Sequence, residues 1–71
     1  MAEEITAPLT GKIIKINVEV GNSVKEDDEM IIIEAMKMET PVFAPYDGTV
    51  KEIKVNKGDK VEEDEVLITV E

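Results

Sequence analysis

The chain has 71 residues, with 17 Asp and Glu against 8 Lys and Arg, and its formal net charge is −9. This length suits one domain with a thin core, and the negative charge speaks against binding of nucleic acid or of an anionic membrane surface. There is no Cys and no His, which excludes disulfides, thiol nucleophiles, zinc sites built from these residues and histidine acid–base catalysis. No apolar run approaches the roughly 18 residues of a membrane-spanning helix, so a cytoplasmic protein without membrane insertion is expected.

Short runs rich in Val, Ile and Thr follow one another along the chain, and Gly, Asn, Asp and Pro separate them. Residues of the first kind favour strands, and those of the second kind favour turns. The pattern therefore predicts an all-β protein. The predicted strands cover residues 4–7, 12–18, 23–25, 30–36, 38–43, 49–55, 60–62 and 66–70.

The same pattern occurs twice in the chain. Residues 7–34 align with residues 44–71 without a gap, so that Gly11 corresponds to Gly48. Two copies are too few for a solenoid, which needs about three repeats to bury a core. We therefore predict a single domain over residues 1–71, built as a flattened barrel-sandwich of two four-stranded antiparallel sheets with pseudo-two-fold internal symmetry.

Matched positions in the two copies predict which side chains face the core. Ile33 corresponds to an apolar residue of the second copy and is predicted to face inward, and so are Ile13 and Ile16. The last two are three positions apart, whereas side chains of a regular strand alternate between its faces. A β-bulge resolves this conflict, and we predict one near residues 14–15 and another near residues 51–52.

Acidic clusters occupy equivalent places in the two copies, at residues 26–29 and 62–65. They lack the glycine and the ligand spacing of a calcium loop. We interpret them as solvated turns, with a partner-docking surface or a weak cation site as the alternative. No metal site is predicted.

The segment between the copies, from Glu34 to Thr40, reads EAMKMET. It joins two strands that are predicted to be adjacent and antiparallel, and its centre is Met36-Lys37, or Lys37-Met38 one residue later. Tight hairpins favour Asn-Gly or Asp-Gly, because their turns need positive φ. Met and Lys in such a turn cost conformational strain, which indicates that they are kept for a function.

On spacing alone, two interpretations of Lys37 remain open. A lysine at a hairpin tip is commonly a solubilising charge, and a pair of methionines is commonly loose packing. A lysine that acts as a nucleophile needs burial or a neighbouring cation, and Glu34 and Glu39 supply neither. A functional Lys37 is therefore expected to be presented to another enzyme, and no catalytic residue is predicted.

The tetrapeptide Ala35-Met36-Lys37-Met38, set in this duplicated β pattern, resembles the biotinyl domain of the biotin carboxyl carrier proteins. The resemblance covers roughly residues 4–71. It implies the flattened barrel-sandwich fold, with the lysine on an exposed hairpin. It also implies covalent biotin on Lys37, with Ala35, Met36 and Met38 as the motif that a biotin protein ligase recognises.

The resemblance further implies a role and partners. Members of this family are carriers rather than catalysts. Their biotin accepts a carboxyl group at a biotin carboxylase and delivers it to a carboxyltransferase, and in decarboxylases it takes the group from a donor acid. The expected partners are therefore the ligase and the subunits of a biotin-dependent carboxylase or decarboxylase.

Two further features bear on this resemblance. Some family members insert a protruding thumb between their second and third strands, but residues 12–24 contain no insertion, so the chain is similar to the thumbless type. The first alternative is a lipoyl-type acyl carrier domain, whose hairpin usually reads Asp-Lys-Ala. The second alternative is an unmodified barrel-sandwich module that serves as an adaptor.

Overall fold

A computed structural model describes residues 2–71, which form eight strands and no helix. This confirms the all-β prediction. The strands are β1 (Glu3–Thr6), β2 (Gly11–Ile16), β3 (Ser23–Val24), β4 (Glu29–Ala35), β5 (Met38–Phe43), β6 (Gly48–Ile53), β7 (Lys60–Val61) and β8 (Val66–Val70).

The predicted strand boundaries are wrong mainly at the ends of β2 and β6. Each of these strands ends two residues before its predicted end. The two strands were predicted to be longer because Val18 and Val55 are apolar and were expected to face the core from within a strand. Both of them pack against the core from the loops that follow the strands, so burial there does not require a strand.

The strands form two four-stranded sheets, in the orders β1-β8-β6-β3 and β5-β4-β2-β7, and every pair is antiparallel. Each strand of one sheet corresponds through the repeat to the strand at the same place in the other sheet. Each sheet therefore mixes strands from both halves of the chain. This arrangement confirms the predicted sandwich and its internal symmetry.

The core lies between the two sheets and is purely apolar, because no polar or charged residue in the described chain is buried. Full burial of one large apolar side chain stabilises the folded state by roughly 1.5–3 kcal/mol. The largest fully buried side chains come from both halves of the chain: Ile13, Met30, Ile31, Ile33, Val50, Val61, Leu67, Ile68 and Val70.

Both predicted β-bulges are confirmed. The register of β2 against β4 shifts between Ile13 and Lys15, and that of β6 against β8 shifts between Val50 and Glu52. Two further shifts, which the sequence analysis missed, affect β4 against β5 and β1 against β8. They let two consecutive residues in each copy, such as Met30 and Ile31, lie fully inside the core.

The hairpin between β4 and β5 is closed by Met36 and Lys37, with φ of 52° and 65°. Of the two centres considered, the first is therefore correct. Positive φ at both central residues defines a type I′ turn, which normally carries Asn or Gly. The other non-glycine residues with positive φ in the described chain are Asp27 and Asp64, a residue type that tolerates this conformation better.

The first prediction compares the core with the hairpin tip. Ile33→Ala removes a fully buried side chain and should lower the free energy of unfolding by about 2–5 kcal/mol. Lys37→Ala changes an exposed side chain and should alter it by less than about 0.5 kcal/mol. Urea titrations measure both values, and Ile33→Val provides a milder core variant should the first one fail to fold. Equal losses at the two positions would contradict the assigned core.

The second prediction concerns the strained turn. The double substitution Met36→Asn and Lys37→Gly should raise the free energy of unfolding by about 1 kcal/mol. It relieves a left-handed conformation that costs about 1–2 kcal/mol per residue, less the entropy that glycine adds to the unfolded chain. Glu39→Gly is the control, because Glu39 lies in β5 outside the turn and glycine should destabilise a strand. A lower free energy of unfolding for the double variant would show that the turn is not strained.

Candidate functional site

The exposed tip of the β4–β5 hairpin is the candidate site. Strands β4 and β5 pair along their whole length, from Glu29 opposite Phe43 to Ala35 opposite Met38. The base of the hairpin is held in the core by Ile33, which is fully buried and lies four positions before Lys37. The site is thus a fixed strand pair that ends in a two-residue turn.

The two methionines at the tip are the most exposed large apolar side chains of the described chain. Met36 is 94% exposed and Met38 is 70% exposed, although methionine is usually a core residue. Lys37 is exposed between them, while Ala35 is half-buried. The structure therefore brings the four predicted motif residues together and leaves the methionine side chains and the amine open to a partner.

The chemistry available at the tip is that of an exposed primary amine. The ion pairs found within residues 2–71 are Lys51–Glu71 and Lys54–Glu52, so Lys37 takes part in neither of them. No buried polar group accompanies it, since the described core has none. The amine can thus be reached by an external enzyme.

Gly11 is a structural part of the site that the sequence analysis did not assign. A Cβ atom at Gly11 would lie 2.6 Å from the Glu34 carbonyl oxygen and 3.3 Å from Cβ of Ala35. Only glycine lets the start of β2 pass this close to the end of β4. The repeat carried the signal, because Gly11 and Gly48 correspond. A Cβ atom at Gly48 would likewise lie only 2.9 Å from the carbonyl oxygen of Glu71.

A groove of about 560 Å³ lies beside the tip. Its lining includes Gly11, Lys12, Ala35, Met36 and Lys60, so it adjoins the residue that precedes Lys37. The sequence did not predict this groove, because its walls come from strands that are distant in the chain.

Carboxylates of the two acidic clusters accept hydrogen bonds from the backbone of the turns in which they lie. The Asp28 carboxylate accepts a hydrogen bond from the backbone N–H of Lys25, and the Glu65 carboxylate accepts one from that of Glu62. In the part of the chain that the structure describes, no group of three or more acidic side chains is arranged to hold a metal ion. The same residues include no helix suited to crossing a membrane.

Comparison with known proteins gives relatives that are named as decarboxylase or carboxyltransferase subunits or as a biotin carboxyl carrier protein. The chain is 42% identical over 41 residues to the methylmalonyl-CoA decarboxylase subunit gamma of Veillonella parvula, covering 58% of this chain and 32% of that protein. It is 51% identical over 37 residues to the methylmalonyl-CoA carboxyltransferase 1.3S subunit of Propionibacterium freudenreichii subsp. shermanii, covering 52% and 30%. It is 44% identical over 41 residues to a biotin carboxyl carrier protein of Streptococcus mutans, covering 58% and 32%. The chain thus matches about a third of the length of these relatives.

Solved structures agree with the fold. The urea carboxylase of Kluyveromyces lactis contains a region that superposes with a TM-score of 0.92 at 37% identity, covering 99% of this chain and 6% of that enzyme. A single-chain, multi-domain long-chain acyl-CoA carboxylase gives a TM-score of 0.93 at 22% identity, covering 97% of this chain and 7% of that one. The second likeness concerns the fold alone.

The loop between β2 and β3 spans residues 17–22 and carries no thumb. The family described as "Biotin-requiring enzyme", which comprises biotin and lipoyl attachment domains, matches residues 3–70. This match includes all eight strands and the turn at Met36 and Lys37. The chain therefore belongs to that family and has the fold of its biotinyl domains.

Proposed function

We propose that this domain is a biotin carboxyl carrier whose biotin is attached to Lys37. The observation that carries the proposal is the exposed Met-Lys-Met segment, with Met36 and Lys37 in a left-handed turn, within a fold of the biotin-requiring family. A solubilising lysine would need neither the strained turn nor two exposed methionines. Those features are accounted for if an enzyme must recognise Ala35, Met36 and Met38 and reach the amine between them.

The attachment joins Nζ of Lys37 to the carboxyl carbon of biotin as an amide. A biotin protein ligase would activate that carboxyl group, and the lysine amine would displace the activating group and lose a proton. The domain contributes the exposed amine and the fixed hairpin that aims it. When bound, biotin supplies a ureido ring that can accept a carboxyl group and give it up again, and this chemistry belongs to the cofactor.

We propose that the domain acts as a carrier and not as the catalyst. It has no His and no Cys, and the described residues include no buried polar group that could stabilise a transition state. The catalytic groups would therefore come from partner enzymes. The gain from tethering is effective concentration, because an attached cofactor meets successive sites without free diffusion.

The proposed partners are a biotin carboxylase and a carboxyltransferase or decarboxylase. Support comes from the names of the relatives, which include decarboxylase and carboxyltransferase subunits and a urea carboxylase. The acceptor or donor acid would be selected by those partners, because the carrier contributes no substrate pocket to the transfer. The domain itself would supply the stem and the tip.

The third prediction identifies the attachment site. After incubation with biotin protein ligase, ATP and biotin, the parent protein should gain the mass of one biotin, and Lys37→Arg should gain none. Arginine keeps the positive charge but cannot form the amide. Lys12→Arg is the matched control, since Lys12 is exposed on the neighbouring strand β2. Biotin on the Lys37→Arg variant would refute the assignment.

The fourth prediction tests position rather than composition. Exchanging Met36 with Lys37 gives Ala-Lys-Met-Met, and exchanging Lys37 with Met38 gives Ala-Met-Met-Lys. Both variants keep composition and charge, but each one moves the amine by one residue and re-aims it. The initial rate of biotin incorporation should drop severely in both, while the unfolding midpoint hardly moves. Parent-like rates in both variants would mean that any exposed lysine at the tip suffices.

A further inference from the structure

Four charged side chains form a straight row across the sheet that carries the hairpin. The strand register pairs Lys60 with Lys12, Lys12 with Glu34, and Glu34 with Glu39. Directly opposed residues of antiparallel strands point to the same face, and all four are exposed. The row therefore has two positive charges on β7 and β2 and two negative charges on β4 and β5. It lies one residue pair below the closing pair of the turn.

Stability accounts for the central pair of this charge row, Lys12 with Glu34, but not for its two outer pairs. The row places Lys beside Lys and Glu beside Glu, and like charges on directly opposed strand positions are destabilising. The ion pairs found within residues 2–71 are Lys51–Glu71 and Lys54–Glu52, and neither involves the row. The row thus keeps two like charges on each half, and no ion pair found in the described chain includes any of them.

The pseudo-symmetric end of the domain has no such row. The residues that correspond to Lys60, Lys12, Glu34 and Glu39 there are Ser23, Thr49, Glu71 and Ala2. Three of these four are uncharged, although the repeat preserves glycines and core residues elsewhere. The charges therefore differ where the cores agree, and the charge row is confined to the end that carries Lys37.

Glu71, the one charged residue among these four counterparts, is paired with a lysine. Nζ of Lys51 lies 2.7 Å from Oε2 of Glu71 and forms an ion pair with it. The hydrogen bond and the charge of that lysine lower the pKa of the Glu71 carboxyl. The residue that corresponds to Lys51 in the first copy is Ile14. Glu34 therefore has no equivalent partner, and its charge stays available beside the hairpin.

The charge row adjoins the modification site. The groove of about 560 Å³ beside the tip is lined by Lys12, Glu34 and Lys60 of the row, and also by Ala35 and Met36. A protein that places its active centre over Lys37 must therefore cover part of this row. Its side chains can enter the groove between the positive half of the row and the turn.

We propose that the charge row orients the biotin protein ligase on the domain. The partner surface would carry acidic groups over Lys12 and Lys60 and basic groups over Glu34 and Glu39. This inference rests on the proposed attachment of biotin to Lys37 and adds what the ligase reads besides the tetrapeptide. A nearly symmetric domain offers two similar ends, and a polar row on one of them selects both the end and the direction of approach.

The physical effect is expected on association more than on chemistry. Complementary charges at an interface steer encounter and fix register, and changes to exposed charges alter the association rate and its dependence on salt. The row is exposed, so its influence should fade when salt shortens the screening length. The amide-forming step at Nζ of Lys37 should be unaffected once the complex has formed.

The test is a reversal of the row that leaves the net charge of the chain unchanged. The quadruple variant Lys12→Glu, Lys60→Glu, Glu34→Lys and Glu39→Lys keeps composition, the net charge of −9 and the opposed Lys–Glu pair at the centre. The matched control reverses the exposed ion pair of the other sheet, as Glu52→Lys and Lys54→Glu. A purified biotin protein ligase is then assayed with the parent, the control and the reversed variant at low ionic strength and in about 0.5 M salt.

The reversed variant should show a roughly tenfold or larger drop in kcat/KM for biotin incorporation at low ionic strength. Its kcat should be close to that of the parent, the deficit should shrink in high salt, and the control should match the parent throughout. Thermal melts confirm folding. Should the quadruple variant be unfolded, Lys12→Gln with Lys60→Gln removes the positive half of the row and should give the same salt-dependent loss.

Three results would overturn the inference: a parent-like kcat/KM in the reversed variant, an equal loss in the control, or a loss that high salt leaves undiminished. Failure of the proposed function gives a different result. In that case the parent itself would acquire no biotin on Lys37 under any salt condition, and the Lys37→Arg variant would be indistinguishable from it.

Discussion

The strand pairing of β4 with β5 is the interaction on which the rest of this domain depends. The ladder runs from Glu29 and Phe43 to Ala35 and Met38, and burial of Ile33 and Val42 ties its inner face to the core. This ladder closes on two side-chain-bearing residues in a left-handed conformation, which is unfavourable for each residue alone. The paired strands therefore fix the position of the turn relative to the core. The stability of the hairpin comes from the apolar interior, and its exposed tip is left free for recognition.

This division of labour explains the composition of the chain. The described core contains no polar group, so folding needs no buried hydrogen-bond network. The surface carries the strong negative charge instead. A protein built in this way is suited to present one amine to other enzymes.

Duplication accounts for the architecture, and the two copies depart from each other at exposed positions. The two copies agree in their bulges, in the close approaches of Gly11 and Gly48, and in the order of strands within the sheets. They differ where Ile14 stands in place of Lys51 and where charged residues replace Ser23 and Thr49. Packing constrains the matched positions because both sheets must close over the same thin core. Exposed positions carry no such constraint, so the hairpin end could acquire charges that the other end lacks.

The sequence by itself determined the class of fold, the duplicated halves, the bulges in β2 and β6 and the tetrapeptide around Lys37. Those features are local or periodic, and the repeat made each of them visible twice. Only the tertiary structure decided the rest. It selected Met36 and Lys37 as the turn, ended β2 and β6 early, and revealed the bulge that buries both Met30 and Ile31. It also aligned side chains from β7, β2, β4 and β5 into one charge row, because the lateral register between strands that are distant in sequence is set by how the two sheets pack and not by any local pattern.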